Sequence, residues 1–152
     1  MGLKYSVFTE PPKNFNRGTE IAGCYCSFED KLLLLKRHPE KPQGNTWGVP
    51  AGKIEKNEDP KMAVVREIYE EVGLNIDDDS LKMIGCMYCR LPHVDYVFHV
   101  FKKDFLALPE INLSLEEHLE FRWVTFDEAL TLPLIAGGVE ALNYYKRYTS
   151  SI

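Results

Sequence analysis

Apolar and polar positions alternate, or apolar residues run together, in six stretches that predict β-strands: residues 4–8, 21–28, 31–37, 81–90, 94–102 and 121–124. The polar pair Glu29-Asp30 separates the second stretch from the third, and Leu91-Pro92-His93 separates the fourth from the fifth. Short polar or proline-containing connections between strand patterns are typical of hairpins. We therefore expect two hairpins, with the first stretch as a short edge strand.

Apolar positions recur at helical spacing in two further stretches, residues 60–72 and 139–148. Before the first, Asp59 is a good N-cap acceptor, and Pro60 suits the first helical position, where its missing N–H is no loss. Gly73 suits the left-handed residue that ends a helix. Strands interleaved with two substantial helices predict an α/β (α+β) fold in which a mixed sheet lies between helices.

Connections are predicted where polar residues, prolines and glycines collect. Residues 38–48 hold two prolines and two glycines and should form a loop over the functional site. The acidic residues 77–80 favour a solvated polar turn over a second metal site. Asp127 should cap a short helix that ends near Leu130.

Composition and charge narrow the class of protein. A chain of 152 residues, 45% of them hydrophobic, fits one globular domain over residues 1–152 that can bury a core. The net charge of −5 argues against nucleic-acid binding, which needs a basic surface for phosphate contacts. No basic, apolar leader opens the chain, and no stretch approaches the ~20 apolar residues of a membrane span. We expect a cytoplasmic protein without membrane contact; the oligomeric state stays open, and a dimer is possible.

Four cysteines stand in a C-x-C pair, Cys24 and Cys26, and a C-x-x-C pair, Cys86 and Cys89, so a zinc site has to be weighed. In strands, the first two would share a face of the sheet, whereas the last two would point to opposite faces. This arrangement favours buried, reduced thiols over a zinc site, and a cytosolic location disfavours disulfides.

The helix predicted at residues 60–72 carries three glutamates on one side. At about 100° per residue, Glu67, Glu70 and Glu71 fall within an arc of about 100°, opposite an apolar face. An acidic helix face is ordinarily a solvated surface. Here Glu67 and Glu71 repel at a cost of about 0.2–0.5 kcal/mol, with only Arg66 near them as compensation. Three crowded carboxylates are better explained as ligands of a hard divalent cation, magnesium or manganese rather than zinc.

The same region resembles the signature of a known family. It reproduces the spacing of the Nudix box without a gap, through Gly52, Glu58, Arg66, Glu67, Ile68, Glu70, Glu71, Gly73 and Leu74. One departure is Ala51, where many relatives have a second glycine; it affects the local turn but no metal-binding side chain. By this resemblance the chain is identified as a MutT-type Nudix hydrolase, which implies an α/β/α sandwich.

The resemblance also implies roles for the acidic residues. Glu70 and Glu71 would be metal ligands, with the carbonyl of Ala51 beside them. Glu67 would be a further ligand or the base that takes a proton from water, and Arg66 would orient the carboxylates. The expected catalytic set is therefore Glu67, Arg66 and Glu70.

Other residues of the box would shape the site. Glu58 would approach the metal through water or fix the loop. Gly52 would let the backbone turn tightly onto the cation. Gly73 would end the helix.

Nudix proteins often recruit another acid from a later loop. Glu116 and Glu117 stand just before the strand predicted at residues 121–124, and we expect Glu117 to be the additional metal ligand, with Glu120 behind it. His118 is expected to be a packed or loop histidine, because a magnesium site prefers oxygen.

The residues that recognise the substrate are less visible in the sequence. Arg37 and His38, at a strand end, could contact phosphate. For Trp47, beside the box, a packing role and a substrate contact are equally expected. Four side chains in or beside the second hairpin are candidates for facing a base, although aromatic residues in strands are more often core: Tyr88, His93, Tyr96 and Phe98.

The resemblance implies magnesium-dependent hydrolysis of a diphosphate linkage in a nucleoside diphosphate joined to another group, a small-molecule substrate that includes nucleoside triphosphates. Cations would neutralise the clustered phosphate charge while a base activates water. One alternative is a dinucleoside polyphosphate hydrolase. Another is a non-catalytic Nudix-fold module that binds a nucleotide for regulation, but the intact Glu67, Glu70 and Glu71 favour the enzyme.

Overall fold

Eight β-strands and three α-helices follow one another over residues 3–150, the part of the chain that the computed structural model describes. The strands are β1 Ser6–Phe8, β2 Glu20–Phe28, β3 Lys31–Arg37, β4 Trp47–Gly48, β5 Ala51–Lys53, β6 Lys82–Arg90, β7 Asp95–Phe105 and β8 His118–Thr125. The helices are α1 Pro60–Val72, α2 Phe126–Leu130 and α3 Gly138–Ser150, and a 3₁₀ turn covers Asp78–Ser80.

The sheet is mixed, as predicted, and its centre is β2. This strand runs parallel to β7 along its whole length, whereas the other strand pairs are antiparallel. β1 forms one edge beside β6, and β8 pairs with β3 on the other side of the sheet. The edge position expected for the first strand is confirmed.

The first hairpin opens soon after its turn. Strands β2 and β3 pair only at Ser27–Leu32 and Phe28–Lys31, and β5 then takes over the freed edge of β2. Ala51 and Gly52 consequently lie opposite Gly23 and Ala22 in the middle of the sheet. This exchange of partners brings the glycine end of the box against the sheet, directly beside α1.

Apolar side chains cover both faces of the sheet. On one face α1 packs Val64, Ile68 and Val72 against residues that include Leu33 and Phe101. On the other face α3 contributes a second cluster, formed with residues of β2, β3, β6 and β7. The sheet therefore lies between helices, which confirms the predicted sandwich.

Both ends of α1 are confirmed. The Asp59 carboxylate accepts a hydrogen bond from the Met62 N–H at 2.8 Å, and Gly73 has φ 74° with its N–H donating to the Tyr69 carbonyl. The predicted cap of α2 was wrong: Thr125 is the N-cap, and it exchanges hydrogen bonds with Glu128 in a capping box. A hydroxyl two residues before Asp127 fills the position first.

The cysteines lie on both faces of the sheet. Cys24 and Cys26 belong to the α1-side core, with their Sγ atoms 3.9 Å apart, and Cys89 belongs to the α3-side core. Cys86 pairs across strands with His99, on the α1 side. All four are free thiols. Among residues 3–150, no helix is long and apolar enough to span a membrane.

Candidate active site

The carboxylate of Glu71 is the most buried acid of the box. Its side chain is 5% exposed, and Oε1 accepts a hydrogen bond from the Ala51 N–H at 3.0 Å. Oε2 is buried without a hydrogen-bond partner among the described residues. Burial raises the pKa of Glu71 well above its usual range, and the neighbouring Glu67 and Glu117 carboxylates raise it further. A buried oxygen without a partner is costly, so this atom fits a site that a cation satisfies.

A later segment of the chain completes this corner. The ligand atoms of Glu71, Glu117 and His118 all lie within 4.8 Å of one another. The Glu117 carbonyl accepts a hydrogen bond from the His38 N–H at 2.7 Å, which ties this segment to the end of β3. Glu117 therefore lies where a ligand from a later loop was expected.

His118 is the residue whose place the sequence did not reveal. It is packed, as expected, at 5% exposed, but it lies within the acidic corner, and its Nδ1 has no hydrogen-bond partner in the described chain. Burial lowers the pKa of His118 to about 4, so the imidazole is neutral at pH 7. The available signal was its place directly after Glu117, where β8 begins and pairs His118 with Arg37.

Gly52 is required by the close approach of Glu67. A Cβ atom at residue 52 would stand 2.1 Å from Cδ of Glu67, far inside van der Waals contact. Burial of the Glu67 carboxyl raises its pKa, and this effect outweighs the opposing influence of Arg66. The missing side chain of Gly52 therefore makes room for a carboxylate of raised pKa.

Arg66 holds the acids of α1 in place. Its Nη1 donates to Glu67 at 2.8 Å and to Glu70 at 3.2 Å, and its Nη2 donates to the Lys53 carbonyl at 3.0 Å. Glu70 is turned toward Arg66 with 55% of its side chain exposed, outside the corner formed by Glu71 and Glu117. Glu70 and Glu71, to which the resemblance assigns the same role, therefore have different surroundings in the structure.

Glu58 forms the other half of this network. Both of its carboxylate oxygens accept from Arg66, at 2.7 and 2.9 Å, and Oε1 also accepts from the Glu55 N–H at 2.9 Å. The guanidinium holds the pKa of Glu58 below its usual range. Of the two expected roles of Glu58, these contacts favour fixing the loop before α1.

A cavity of about 120 Å³ opens on the α3 side of the sheet, next to the carboxylates. Phe98 and Trp47 line it together with mostly apolar side chains and the segment before α3. Arg37, Ala51 and His118 also line it, and they connect it to the acidic corner. The neighbouring glycines Gly137 and Gly138 were the sequence signal for this close-packed segment.

The predicted recognition residues do not all meet at this cavity. Arg37 and Phe98 line it, and Trp47 lines it although it is 3% exposed and lies under the Arg122 guanidinium, 4.9 Å from the ring centre. Tyr88 lies on the opposite face, where its ring packs edge-on against Phe15. His38 is absent from the described lining and contacts Glu117 through its backbone.

Fold and site together define the class of protein. The NUDIX domain matches residues 18–145, so the chain belongs to this family and is a Nudix hydrolase. The family generally uses a divalent metal, and the oxygen-rich corner around the unpaired Glu71 Oε2 fits one.

The names of two relatives of the chain specify a substrate. The chain is 28% identical over 141 residues to a dihydroneopterin triphosphate diphosphatase of Haemophilus influenzae, covering 86% of this chain and 87% of the relative. It is 31% identical over 106 residues to an ADP-ribose pyrophosphatase of Bacillus subtilis, covering 68% of this chain and 56% of the relative. The crystal structure of a MutT protein from Methanosarcina mazei Go1 shares the fold, with a TM-score of 0.73, 23% identity and coverage of 88% and 94% of the two chains.

Proposed function

We propose that this chain is a magnesium-dependent hydrolase that cleaves the diphosphate linkage of a nucleoside diphosphate joined to another group, with manganese as a substitute cation. The observation that carries the proposal is the buried Glu71 carboxylate. One of its oxygens lies within 4.8 Å of ligand atoms of Glu117 and His118, and its Oε2 has no hydrogen-bond partner among the described residues. The two carboxylates offer oxygen ligands, which suit magnesium better than zinc, and the imidazole of His118 is not counted among the proposed ligands.

Three glutamates and one carbonyl would hold the cation, Glu70, Glu71, Glu117 and the carbonyl of Ala51, and Glu67 would be a further ligand or the base. When bound, the cation neutralises charge that collects on the diphosphate oxygens. Glu71 and Glu117 already stand together, whereas Glu70 reaches the cation only by leaving Arg66. Glu70 is therefore the ligand that changes partner when metal binds.

Glu67 is the proposed general base. The attacking water gives its proton to the Glu67 carboxylate, and a base works best when its pKa lies near the working pH. Burial raises the pKa of Glu67 in that direction. Arg66 donates to Glu67 at 2.8 Å and keeps the carboxylate pointed beside Gly52, so Arg66 is a positioning residue.

Arg37 and the cavity would recognise the rest of the substrate. The Arg37 Nε donates to the Pro42 carbonyl at 2.8 Å, which orients the guanidinium between the cavity and the acidic corner. A phosphate can meet Arg37 while a flat base stacks on Phe98, a contact worth about 1–3 kcal/mol by analogy with single-strand binding. Relatives named for dihydroneopterin triphosphate and ADP-ribose agree with a phosphate chain attached to a larger group.

The test is hydrolysis of a substrate panel by purified protein with magnesium. The panel compares nucleoside triphosphates, nucleoside diphosphate sugars and dinucleoside polyphosphates with base-free sugar and inositol diphosphates. We expect nucleoside-containing compounds to be cleaved best, triphosphates giving monophosphate and pyrophosphate. Hydrolysis in oxygen-18 water, followed by phosphorus NMR, identifies the phosphorus that is attacked. Binding of nucleotides without release of any product, with magnesium or manganese, would instead establish a regulatory module.

A further inference from the structure

A second cluster of reactive side chains lies outside the carboxylate site, on three adjacent strands. The Sγ atom of Cys86 on β6 is 3.3 Å from Nδ1 of His99 on β7, and Nε2 of the same ring is 2.6 Å from Oε1 of Glu20 on β2. The strand register explains the row, because Cys86 stands directly opposite His99, and Glu20 is two residues before the parallel neighbour Ala22. Thiol, imidazole and carboxylate are thus connected in series.

The carboxylate decides which ring nitrogen carries a proton. An ionised glutamate only accepts hydrogen bonds, so Nε2 of His99 must donate its N–H to Glu20. In the neutral ring Nδ1 is then the acceptor, and the S–H of Cys86 points its proton at it. His99 is 5% exposed, so this orientation is held by packing as well as by Glu20.

The surroundings of Cys86 keep its proton in place until a base removes it. Burial raises the pKa of the Cys86 thiol, the Arg17 charge lowers it, and the Glu20 charge raises it. Arg17 lies 3.9 Å from Glu20 and above the Tyr88 ring, beside the cluster. At neutral pH the resting thiol is therefore protonated, and its reactivity depends on His99.

Cys86 also differs from the other cysteines in access. Cys24 and Cys26 are 0% exposed and Cys89 is 2% exposed, whereas Cys86 is only partly buried. Cys86 is therefore the most accessible of the four cysteines, and the three other thiols serve as internal references.

We propose that Cys86 is a nucleophilic thiol that reacts with hydroperoxides, with His99 as its general base and Glu20 as the residue that positions the imidazole. Nδ1 of His99 takes the thiol proton as the sulfur attacks the terminal oxygen of the peroxide. An S–O bond forms, the O–O bond breaks, and the leaving oxygen receives the proton from His99. Cys86 is oxidised to a sulfenic acid, and the hydroperoxide is reduced to water or an alcohol.

The experiment measures the rate of Cys86 modification in the folded full-length chain. Hydrogen peroxide is added at neutral pH, the sulfenic acid is trapped with dimedone, and mass spectrometry of peptides quantifies the adduct at each cysteine. Iodoacetamide provides a second, oxidant-free rate. We expect Cys86 to react well ahead of the three buried cysteines, and Cys86→Ser to abolish the fast adduct.

Variants at His99 and Glu20 distinguish the contribution of the general base from the intrinsic reactivity of the thiol. His99→Gln should slow both reactions at Cys86 about 100-fold, the usual contribution of a general base. Glu20→Gln should slow them by a smaller factor, because a side-chain amide no longer fixes the tautomer. Glu10→Gln, an exposed glutamate, is the matched control and should change nothing.

A pH series distinguishes proton removal from a general loss of structure. At alkaline pH, where the thiol ionises unaided, the rates of the wild type and of His99→Gln should converge, whereas damage to the fold would keep them apart. If His99→Gln fails to fold, Glu20→Gln decides the matter. An unchanged Cys86 rate in the folded variants, or equal rates at all four cysteines, overturns the proposal.

Discussion

Glu71 has an unusual position for a glutamate, because its carboxyl group is buried and one of its oxygens has no hydrogen-bond partner within residues 3–150. Without metal, the folded chain favours the protonated form, since burial raises the pKa of Glu71. The folded state then binds more protons than the unfolded state, and stability is lost as pH rises above about 4.3, the ordinary glutamate pKa, toward the raised value. A cation at the proposed site would reverse this penalty, so the proposed metal affinity and the metal-free instability would have the same origin.

Replacing Glu71→Gln tests both consequences. Turnover with magnesium should fall by orders of magnitude, whereas the Tm of the metal-free protein at pH 7 should stay equal or rise, by about 2–4 °C for each kcal/mol gained. The gain should shrink as pH is lowered toward 4. Steady-state kinetics and thermal unfolding without metal provide the two measurements.

Glu70→Gln is the matched control for stability. Its side chain is 55% exposed and paired with Arg66, so its removal should not raise the metal-free Tm. Near-normal turnover of Glu71→Gln in magnesium would contradict the assignment of Glu71 as a ligand.

Glu117 and its neighbour Glu116 offer a comparison of adjacent acids. Only Glu117 joins the cluster with Glu71 and His118. Glu117→Gln should raise the magnesium concentration needed for half-maximal activity on the order of tenfold, because ligand charge sets affinity. Glu116→Gln should leave it unchanged. Magnesium titration of both variants checks this, and equal effects would show that the negative charge of the loop matters rather than a specific ligand.

At the scale of elements, β5 and α1 act as one unit. Arg66 on α1 donates to the carbonyl of Lys53 on β5, and the Ala51 N–H donates back to Glu71. These two bonds fix the strand against the helix from both sides. The acids of α1 are thereby held at a defined height above the sheet before any ligand binds.

Gly52→Ala tests this contact between strand and helix. The added methyl group would lie 2.1 Å from Cδ of Glu67, so the carboxylate must move away. A misplacement of about 1 Å can cost roughly 100-fold in rate, and we expect a loss of that order in kcat. Gly18→Ala, in an exposed loop, is the control and should keep full activity. Retention of activity by Gly52→Ala would exclude Glu67 as the positioned base.

At the scale of the whole molecule, the proposed function assigns the chemistry to the acids of α1 and the recognition of the substrate to the cavity beside α3. The carboxylates project from α1 on one side of the sheet, while the cavity lies beneath α3 on the other. Arg37 and Ala51 belong to the cavity lining and also stand next to the acids, so a substrate can bridge the two. Substrate selectivity is therefore expected to depend on residues outside the box.

Phe98→Ala should raise KM for nucleoside-containing substrates by about 5–150-fold, the equivalent of losing about 1–3 kcal/mol of stacking. KM for a base-free diphosphate should change little. Tyr88→Ala is the matched control, because Tyr88 lies on the opposite face of the same hairpin. If a base-free diphosphate is the best substrate of the wild type, the nucleotide assignment fails and only the metal chemistry survives.

The positions of the cysteines in the sheet bear on whether the protein binds zinc. Cys24 and Cys26 lie in the core beneath α1 and Cys89 in the core beneath α3, so the two pairs do not converge. We expect purified protein to contain no stoichiometric zinc and to keep its Tm in a strong chelator of soft metals. Elemental analysis that finds about one tightly held zinc per chain would contradict this prediction.

Patterns along the sequence indicated the secondary structure more completely than the position of the cavity. The ends of α1 and six of the described strands were predicted within a few residues, whereas β4, in the segment expected to be a loop, and β5 were not predicted. Glu117 lies close to Glu71, and its role as a metal ligand stays a prediction. Tyr88 is an example of what these patterns did not indicate. Its position in a strand was correct, but the side of the sheet that carries the cavity depends on how α3 packs.

The sequence by itself determined the acidic helix and its capped ends, because helical spacing and capping act over a few residues, and the catalytic class followed from the resemblance to the Nudix box. Only the tertiary structure decided that β5 replaces β3 beside β2 and that His118 enters the acidic corner. These outcomes rest on contacts between residues far apart in the chain. Such contacts form only when several elements pack at once, so no local pattern encodes them.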